Sequence, residues 1–251
     1  MAGADEPCPY LTALYFGEFE TFYGEGTMVA RRGFLERLGA AALALAGAPA
    51  VVEGTTRRSP GQGSPDAWID GLTGKHKQFF DIPLHNNGVP LLLAYNFHNT
   101  FARAYGTKPG EVNAVISCYG APGLPASIMM GWNDAMWDKY RVSELIGLKD
   151  ASGGHLTRNV FSDPRAGDPV LMNGAAAHAS LKNLMAMGST VLMCNNSLIG
   201  WCRYMEGQGR GKAAEIEADI RANLIPGIIL VPAMVIAINK GQAAGLTYIR
   251  V

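Results

Sequence analysis

The sequence predicts a three-layer α/β/α domain with about five mainly parallel strands. Short apolar runs alternate along the chain with longer segments in which apolar residues recur every three or four positions, as they do in helices. The short runs are continuously apolar, which indicates strands that are buried on both faces. Such strands belong to parallel sheets that lie between two layers of helices.

The first half of the domain is predicted to contain two strands and two helical regions. Residues 77–82 form the first strand and residues 112–118 the second, because both runs are short and apolar. Between them, residues 89–105 have helical spacing and are followed by Gly106, a typical helix end. Residues 125–146 are predicted to be mostly helical, since their large apolar side chains form one broad face.

The second half begins with a long loop, predicted at 147–169 from its many turn-forming residues. The same alternation of strands and helices then resumes. In chain order we predict an Ala-rich helix at 174–187, a strand at 190–194, helices from near Ser197 and at 212–223, a strand at 228–231, a helix at 233–244 and a last strand at 246–251.

The composition excludes some classes of protein. The chain has 251 residues, of which 48% are hydrophobic, enough for one full core. It carries 21 basic and 21 acidic side chains, so it has no basic surplus for nucleic acid. No apolar run reaches the roughly 18 residues that span a bilayer, and we expect no integral membrane segment.

Residues 28–50 have the layout of a twin-arginine export signal. Arg31 and Arg32 precede a short, weakly hydrophobic Ala/Leu stretch that ends in the small-x-small motif A-P-A. The alternative is an Ala-rich helix of the mature fold. The signal predicts a periplasmic protein, exported in the folded state.

The export signal also divides the chain. Residues 1–27 are acidic and contain no base, unlike the positive start of an export signal, so we expect translation to begin at Met28. Residues 51–67 are rich in Gly, Pro and Ser and are predicted to be a flexible linker. The folded domain then comprises residues 68–251.

Three runs in the C-terminal third follow one another in a recognisable order. They are T-V-L-M-C-N-N-S-L at 190–198, L-I-P-G-I-I-L-V-P-A-M-V at 224–235 and K-G-Q-A-A-G-L-T-Y-I at 240–249. This order resembles the DsrE-like sulfur-relay family, and the runs K-H-K-Q-F-F-D, A-Y-G and D-A-M-W-D-K-Y resemble its exported members. The resemblance covers roughly residues 74–251.

The resemblance implies a flavodoxin-like sandwich that assembles into trimers or hexamers. It also implies a cysteine that carries a persulfide at the end of the third main strand, a position that Cys194 matches. The sequence departs from the family in the polar run Asn195, Asn196 and Ser197 and in an insertion around 201–211.

Cys194 is the candidate catalytic residue. It is placed where a buried strand meets a helix, and ligands of open α/β sheets collect at the carboxyl ends of strands. A helix N-terminus favours a thiolate, which would be the nucleophile that accepts sulfane sulfur. The alternative is an inert buried cysteine.

Other candidate residues are less specific. Cys202 would act as a resolving partner if the loop between the two cysteines folds back, and Cys118 would either face the same edge or lie in the core. The expected mature part, residues 51–251, has three of the four cysteines, and an odd number in an oxidising compartment leaves at least one free or paired between chains. The secondary candidates are Cys202, Asn195, Asn196, Ser197 and, just before the first strand, His76.

These observations lead to a functional hypothesis with two alternatives. The chain is expected to bind or relay sulfane sulfur, without a metal or an organic cofactor, and to exchange it with a donor or acceptor protein. The alternatives are a non-catalytic oligomeric binding or scaffold protein of the same fold and a periplasmic metal-binding protein. No P-loop, dinucleotide fingerprint or serine nucleophile elbow occurs in the sequence.

Overall fold

The computed structural model of the chain describes residues 64–251. The predicted extension at 1–27, the export signal at 28–50 and most of the linker at 51–67 lie outside the described residues. Within the described part, no helix combines the length and the apolar character needed to cross a bilayer.

A five-stranded, all-parallel sheet forms the centre of the domain. The strands lie in the order β4-β3-β2-β1-β5, and all four neighbouring pairs are parallel. The prediction of a parallel sheet between helix layers is therefore confirmed. The strands are β1 (His76–Asp81), β2 (Val112–Cys118), β3 (Thr190–Cys194), β4 (Ile229–Val231) and β5 (Thr247–Arg250).

Within residues 64–251, seven α-helices connect and cover these strands. Short 3-10 helices at Asn86–Gly88, Ser127–Gly131 and Ala177–Ala179 accompany them. The α-helices are α1 (Val89–Tyr105), α2 (Asp134–Lys139), α3 (Val142–Leu145), α4 (Leu181–Ala186), α5 (Asn195–Gly207), α6 (Ala213–Ala222) and α7 (Met234–Ala243).

The two faces of the sheet are covered unequally. Helices α1, α4, α5 and α6 pack on one face, which we call the α1 face, where they form the larger apolar core. The opposite face, which we call the α7 face, is covered by α7 and by the turn at 65–71 with its buried Trp68. Alternate residues of each strand face opposite layers, so Met193 contacts the first core and Cys194 the second.

The region at 125–146, predicted to be mostly helical, is helical in three short pieces. Asn133 is extended and caps α2, because its side chain accepts a hydrogen bond from the Met136 amide. Arg141 has a left-handed backbone (φ 47°), which separates α2 from α3. The apolar spacing matched a helix, but local capping and a reversed φ interrupt it.

The Ala-rich helix predicted at 174–187 is also interrupted. Only Ala177–Ala179, as a 3-10 helix, and α4 are helical there. Ser180 between them is extended, and its hydroxyl accepts a hydrogen bond from the Asn183 amide at 3.2 Å. The serine therefore starts a new helix at a point where composition alone predicted a continuous one.

The path of the chain over the sheet reverses between two neighbouring strands. After β3 the chain enters α5 on the α1 face, whereas after β4 it enters α7 on the opposite face. The two neighbouring strands thus send their connections to opposite sides. Open α/β sheets bind ligands at such a point, outside the carboxyl ends of the strands. Cys194 and its register partner Val231 lie at that point.

Candidate functional site

The thiol of Cys194 lies between the starts of two helices. Its Sγ accepts hydrogen bonds from the backbone N–H groups of Ser197 and Met234, each at 3.4 Å. Ser197 belongs to the first turn of α5, for which Cys194 is the N-cap, and Met234 is the first residue of α7. One helix lies on each face of the sheet, so the sulfur receives donors from both layers.

The two helix starts set the surroundings of the sulfur. The first N–H groups of a helix lack partners within the helix, and the helix dipole places partial positive charge there. Two such ends converge on the sulfur atom of a residue that is only 5% exposed. Both donors are backbone groups whose positions are fixed by the helices to which they belong.

The polar residues after Cys194 connect α5 to its neighbours. Ser197 Oγ donates to the carbonyl oxygen of Gly120, and Trp201 Nε1 donates to the same oxygen at 3.1 Å. Asn195 Oδ1 accepts a hydrogen bond from Arg221 of α6, while Asn196 is exposed. Of the three, Ser197 contacts the sulfur directly, through its backbone, and fixes the start of α5.

Cys202 and Cys118 both lie on the other face from Cys194. Residues 195–207 form a helix instead of a folded-back loop, so Cys202 lies eight residues along α5, a rise of about 12 Å. Both belong to the α1-face core, and all three described cysteines are free. The structure brings neither of them to Cys194, and the condition for Cys202 to act as a resolving partner is not met.

Burial keeps these two thiols protonated. Burial raises the pKa of Cys118 to about 12. It also raises the pKa of Cys202 to about 12, with a further contribution from the Glu217 carboxylate. Neither thiol has an appreciable thiolate fraction at neutral pH.

His76 lies at the amino ends of the strands, opposite to Cys194. It is the first residue of β1, whereas Cys194 is the last residue of the parallel strand β3. Its imidazole stacks on Phe101 of α1, with ring centroids 4.2 Å apart. His76 is therefore separated from the sulfur by the length of the strands.

A buried carboxyl group lies at the carboxyl ends of the strands, on the same face of the sheet as Cys194. Asp81 ends β1 and is 3% exposed, and alternation along the strand places it with Phe79 on the α7 face. Tyr248 of β5 donates its hydroxyl to Asp81 Oδ2 at 2.6 Å. Within residues 64–251, Asp81 Oδ1 has no hydrogen-bond partner. Tyr119 packs against the same face between Asp81 and Cys194.

The tyrosines beside Asp81 remain neutral. Burial, together with the Asp81 carboxylate, raises the pKa of Tyr119 well above its usual range. The hydrogen bond to Asp81 is the main cause of the raised pKa of Tyr248. Arg250 is the register partner of Asp81 in β5 and is exposed. This group, Asp81, Tyr119, Tyr248 and Arg250, is called the Asp81 cluster below.

The sequence analysis did not identify the Asp81 cluster. The sequence did contain a signal for this cluster. In the run at 77–82, Asp81 is the one charged residue after Lys77, and it lies near the carboxyl end of the run. Tyr248 and Arg250 alternate along β5 and therefore share a face. What the sequence could not supply is that β5 returns to pair with β1.

In the described part of the chain, no three side chains of His, Cys, Asp or Glu come together in an arrangement that would hold a metal ion. Comparison with known protein families, curated proteins and solved structures finds no significant match to this chain. The likeness to the DsrE-like family thus remains a prediction from sequence.

Proposed function

We propose that this chain is an exported sulfur carrier that binds sulfane sulfur as a persulfide on Cys194. One observation carries the proposal: the Cys194 Sγ accepts two backbone N–H groups from the starts of α5 and α7. These donors stabilise the thiolate that must attack, and they remain in place for an anionic persulfide. The DsrE-like motifs support the same role.

The reaction is a transfer of one sulfur atom between thiols. The Cys194 thiolate attacks the outer sulfur of a donor persulfide, R–S–SH, so that a Cys194–S–SH bond forms and the donor S–S bond breaks. The electron pair of the broken bond leaves with the donor as R–S⁻. Attack by an acceptor thiolate on the outer sulfur reverses these steps and regenerates the Cys194 thiolate. No external oxidant or reductant is consumed.

The remaining residues divide into supporting and unrelated ones. Ser197 and Trp201 fix the start of α5 through the Gly120 carbonyl, and this fixes one of the two donors. Cys118 and Cys202 take no part, since both are protonated and lie on the other face. A single thiol is enough for the exchange, because the resolving thiol is that of the acceptor.

The test is intact-mass analysis of the purified chain after exposure to a persulfide donor. We expect the mass of one sulfur atom to be added, located on Cys194 by peptide mapping, and released by a small-molecule thiol. A Cys194→Ser variant should gain none, and a Cys202→Ser variant should gain as much as the wild type. If Cys194→Ser gains the same mass as the wild type, the proposal fails.

The proposed location and assembly are tested separately. The twin-arginine layout supports export. A chain in which Arg31 and Arg32 are both changed to Lys should then stay in the cytoplasm, and cell fractionation measures this. The family likeness supports a homo-oligomer, a trimer or a hexamer, which sedimentation of the purified chain measures. A monomer would contradict that part of the proposal.

A further inference from the structure

Strand β5 is an open edge of the sheet. It is the last strand in the order β4-β3-β2-β1-β5, and within residues 64–251 only β1 pairs with it. The Val251 amide donates to the Asp81 carbonyl oxygen at 3.0 Å, so the backbone groups of every second residue, counted back from Val251, face β1. The N–H and C=O groups of the residues between them, Tyr248 and Arg250, therefore face away from the sheet. Such an edge is a template for pairing with another strand.

The other edge of the sheet is protected, whereas β5 is not. Strand β4 has only three residues, Pro226 precedes it by a short turn, and Pro232 follows it directly. A short edge strand next to prolines is a common protection against pairing. Strand β5 contains no proline, and all four of its residues are exposed. Of the two edges, β5 is therefore the one that can accept a further strand.

A helix row without charge lies beside this edge. Apolar side chains recur at every fourth position of α1, and its 17 residues include one charged side chain, that of Arg103. The row reaches β1, because the Phe97 ring packs on Phe80, the register partner of Ile249, with ring centroids 5.6 Å apart. The row consists of Val89, Leu93, Phe97, Phe101 and Tyr105. Its last member is 73% exposed. The surface next to β5 is thus apolar and carries no like charges that would repel an identical surface.

Two copies of β5 are self-complementary about a two-fold axis through Ile249. An axis perpendicular to the sheet makes the two strands antiparallel and keeps the α1 faces of both copies on one side. With Ile249 opposite the Ile249 of the second copy, Tyr248 lies opposite Arg250, and these two residues exchange their outward N–H and C=O groups. The Arg250 guanidinium then lies beside the Tyr248 ring of the other copy, and no like charges are opposite each other. The register centred on Tyr248 would instead place Arg250 opposite Leu246, which is buried.

We infer that β5 is a homodimerisation strand, through which two copies of this chain form one continuous ten-stranded sheet with Ile249 on the two-fold axis. The α1 rows flank the contact on one side of the sheet, and the Tyr248–Arg250 pairs lie on the other. This contact gives a dimer or, combined with a three-fold contact, a hexamer. It rests on the proposed homo-oligomer but not on sulfur relay. Cys194 is separated from β5 by β1 and β2, so the two sulfur sites lie outside the contact.

Disulfide cross-linking tests the register. Ile249→Cys, made in a Cys194→Ser background, places two thiols on the axis, where the Cα atoms of a pair without backbone hydrogen bonds are about 4.5 Å apart, a distance that a disulfide spans. We expect mild oxidation to link two chains at least about tenfold faster than in Ile229→Cys in the same background. Ile229 is the matched control, because it is 37% exposed against 38% for Ile249 but lies on the protected β4 edge.

Sedimentation of the purified chain measures the contact itself. Ile249→Asp places two carboxylates opposite each other on the axis, and we expect it to weaken self-association at least about tenfold. At a fixed concentration the mass of the species should then be halved, from dimer to monomer or from hexamer to trimer. Ile229→Asp should leave the assembly unchanged. Thermal unfolding of each variant shows whether the fold is retained, and Ile249→Cys tests the contact even if Ile249→Asp unfolds.

The outcomes for the β5 contact and for sulfur relay are separable. A monomeric wild type, an assembly that a folded Ile249→Asp chain retains, or equal linking rates of Ile249→Cys and Ile229→Cys overturns the contact. Fast linking through Ile249→Cys, together with a wild-type chain that gains no sulfur on Cys194, leaves the contact standing and removes sulfur relay. Sulfur gain on a monomeric wild-type chain retains sulfur relay and overturns the contact.

Discussion

The neighbouring strands β2 and β3 both end in a free, buried cysteine, yet the surroundings of the two thiols differ. Cys118 faces the α1-face core, is fully buried, and has its pKa raised to about 12 by burial. Cys194 faces the opposite layer and accepts N–H donors from α5 and α7. A strand end is therefore not sufficient for a reactive thiol. The face of the sheet and the helix that follows decide its environment.

The largest expected effect is a difference in thiol reactivity between these two ends. We expect iodoacetamide to label Cys194 at least about a hundredfold faster than Cys118 in the native chain. The pKa of Cys118, raised from 9.0 to about 12, lowers its thiolate fraction by about a thousandfold. Peptide mapping after short exposure at neutral pH measures both rates, with urea-unfolded chain as the control. Equal labelling of the two thiols in the native chain would remove the distinction.

The second effect concerns the turn that follows Cys118. Gly120 has a φ of 126°, and a Cβ there would lie 2.4 Å from the Pro83 carbonyl oxygen. We expect Gly120→Ala to lower the free energy of unfolding by more than about 3 kcal/mol, since strain and a backbone clash add.

Gly123 provides the matched control, because it also has a positive φ (81°) but nothing within 4 Å of an added Cβ. Gly123→Ala should cost only about 1 kcal/mol, from the left-handed backbone. Urea unfolding of both variants gives the comparison. A Gly120→Ala chain as stable as Gly123→Ala would contradict the crowding at this strand end.

The third expected effect is the acid sensitivity caused by His85, in the segment after β1. Burial lowers the pKa of His85, and its Nδ1 accepts a hydrogen bond from the Asn87 amide at 3.1 Å. The folded chain thus resists protonation, whereas the unfolded chain takes up a proton near pH 6.5. Stability is full above that pH and decreases as the pH falls below it, by at most about 1.4 kcal/mol per pH unit for one proton.

Urea unfolding at neutral and mildly acid pH checks this sign. His85→Gln should lose less stability on acidification than the wild type, by about 1 kcal/mol over one pH unit. His178→Gln, at an exposed position, should lose as much as the wild type. If His85→Gln shows the wild-type loss, the acid sensitivity arises elsewhere.

The smallest expected effect is at Cys202. Because its side chain lies in the α1-face core, Cys202→Ala should change the labelling rate of Cys194 by less than about twofold. Its cost in stability should be about 1 kcal/mol, the value of a small buried side chain. A strong loss of Cys194 reactivity in this variant would revive the role of a resolving partner.

The sequence predicted strands from their apolar runs, and it failed where a single capping residue interrupts a helix. Residues 112–118 and 190–194 were predicted with the bounds observed for β2 and β3, because their apolar runs end at clear turn residues. The helix at 174–187 was predicted wrongly, because Ser180 caps a new helix inside an Ala-rich segment.

The candidate site could be predicted from the sequence only in part. The position of Cys194 at a strand end and at the start of a helix follows from adjacent residues. The second donor, the Met234 amide, is 40 positions away and depends on β4 lying beside β3. The Asp81 cluster likewise requires β5 to lie beside β1. Strand order sets both, and periodicity carries no information about strand order.

The thin cover of the α7 face has a consequence for how the sulfur is reached. Within the described residues, α7 is the one helix on that face, and its first amide is one of the two donors to Cys194. A local opening of α7 would at once uncover the sulfur and remove half of its stabilisation. Under the proposed function, access to the sulfur and stabilisation of the thiolate are then opposed. Hydrogen exchange of the Met234 amide would report the frequency of such an opening.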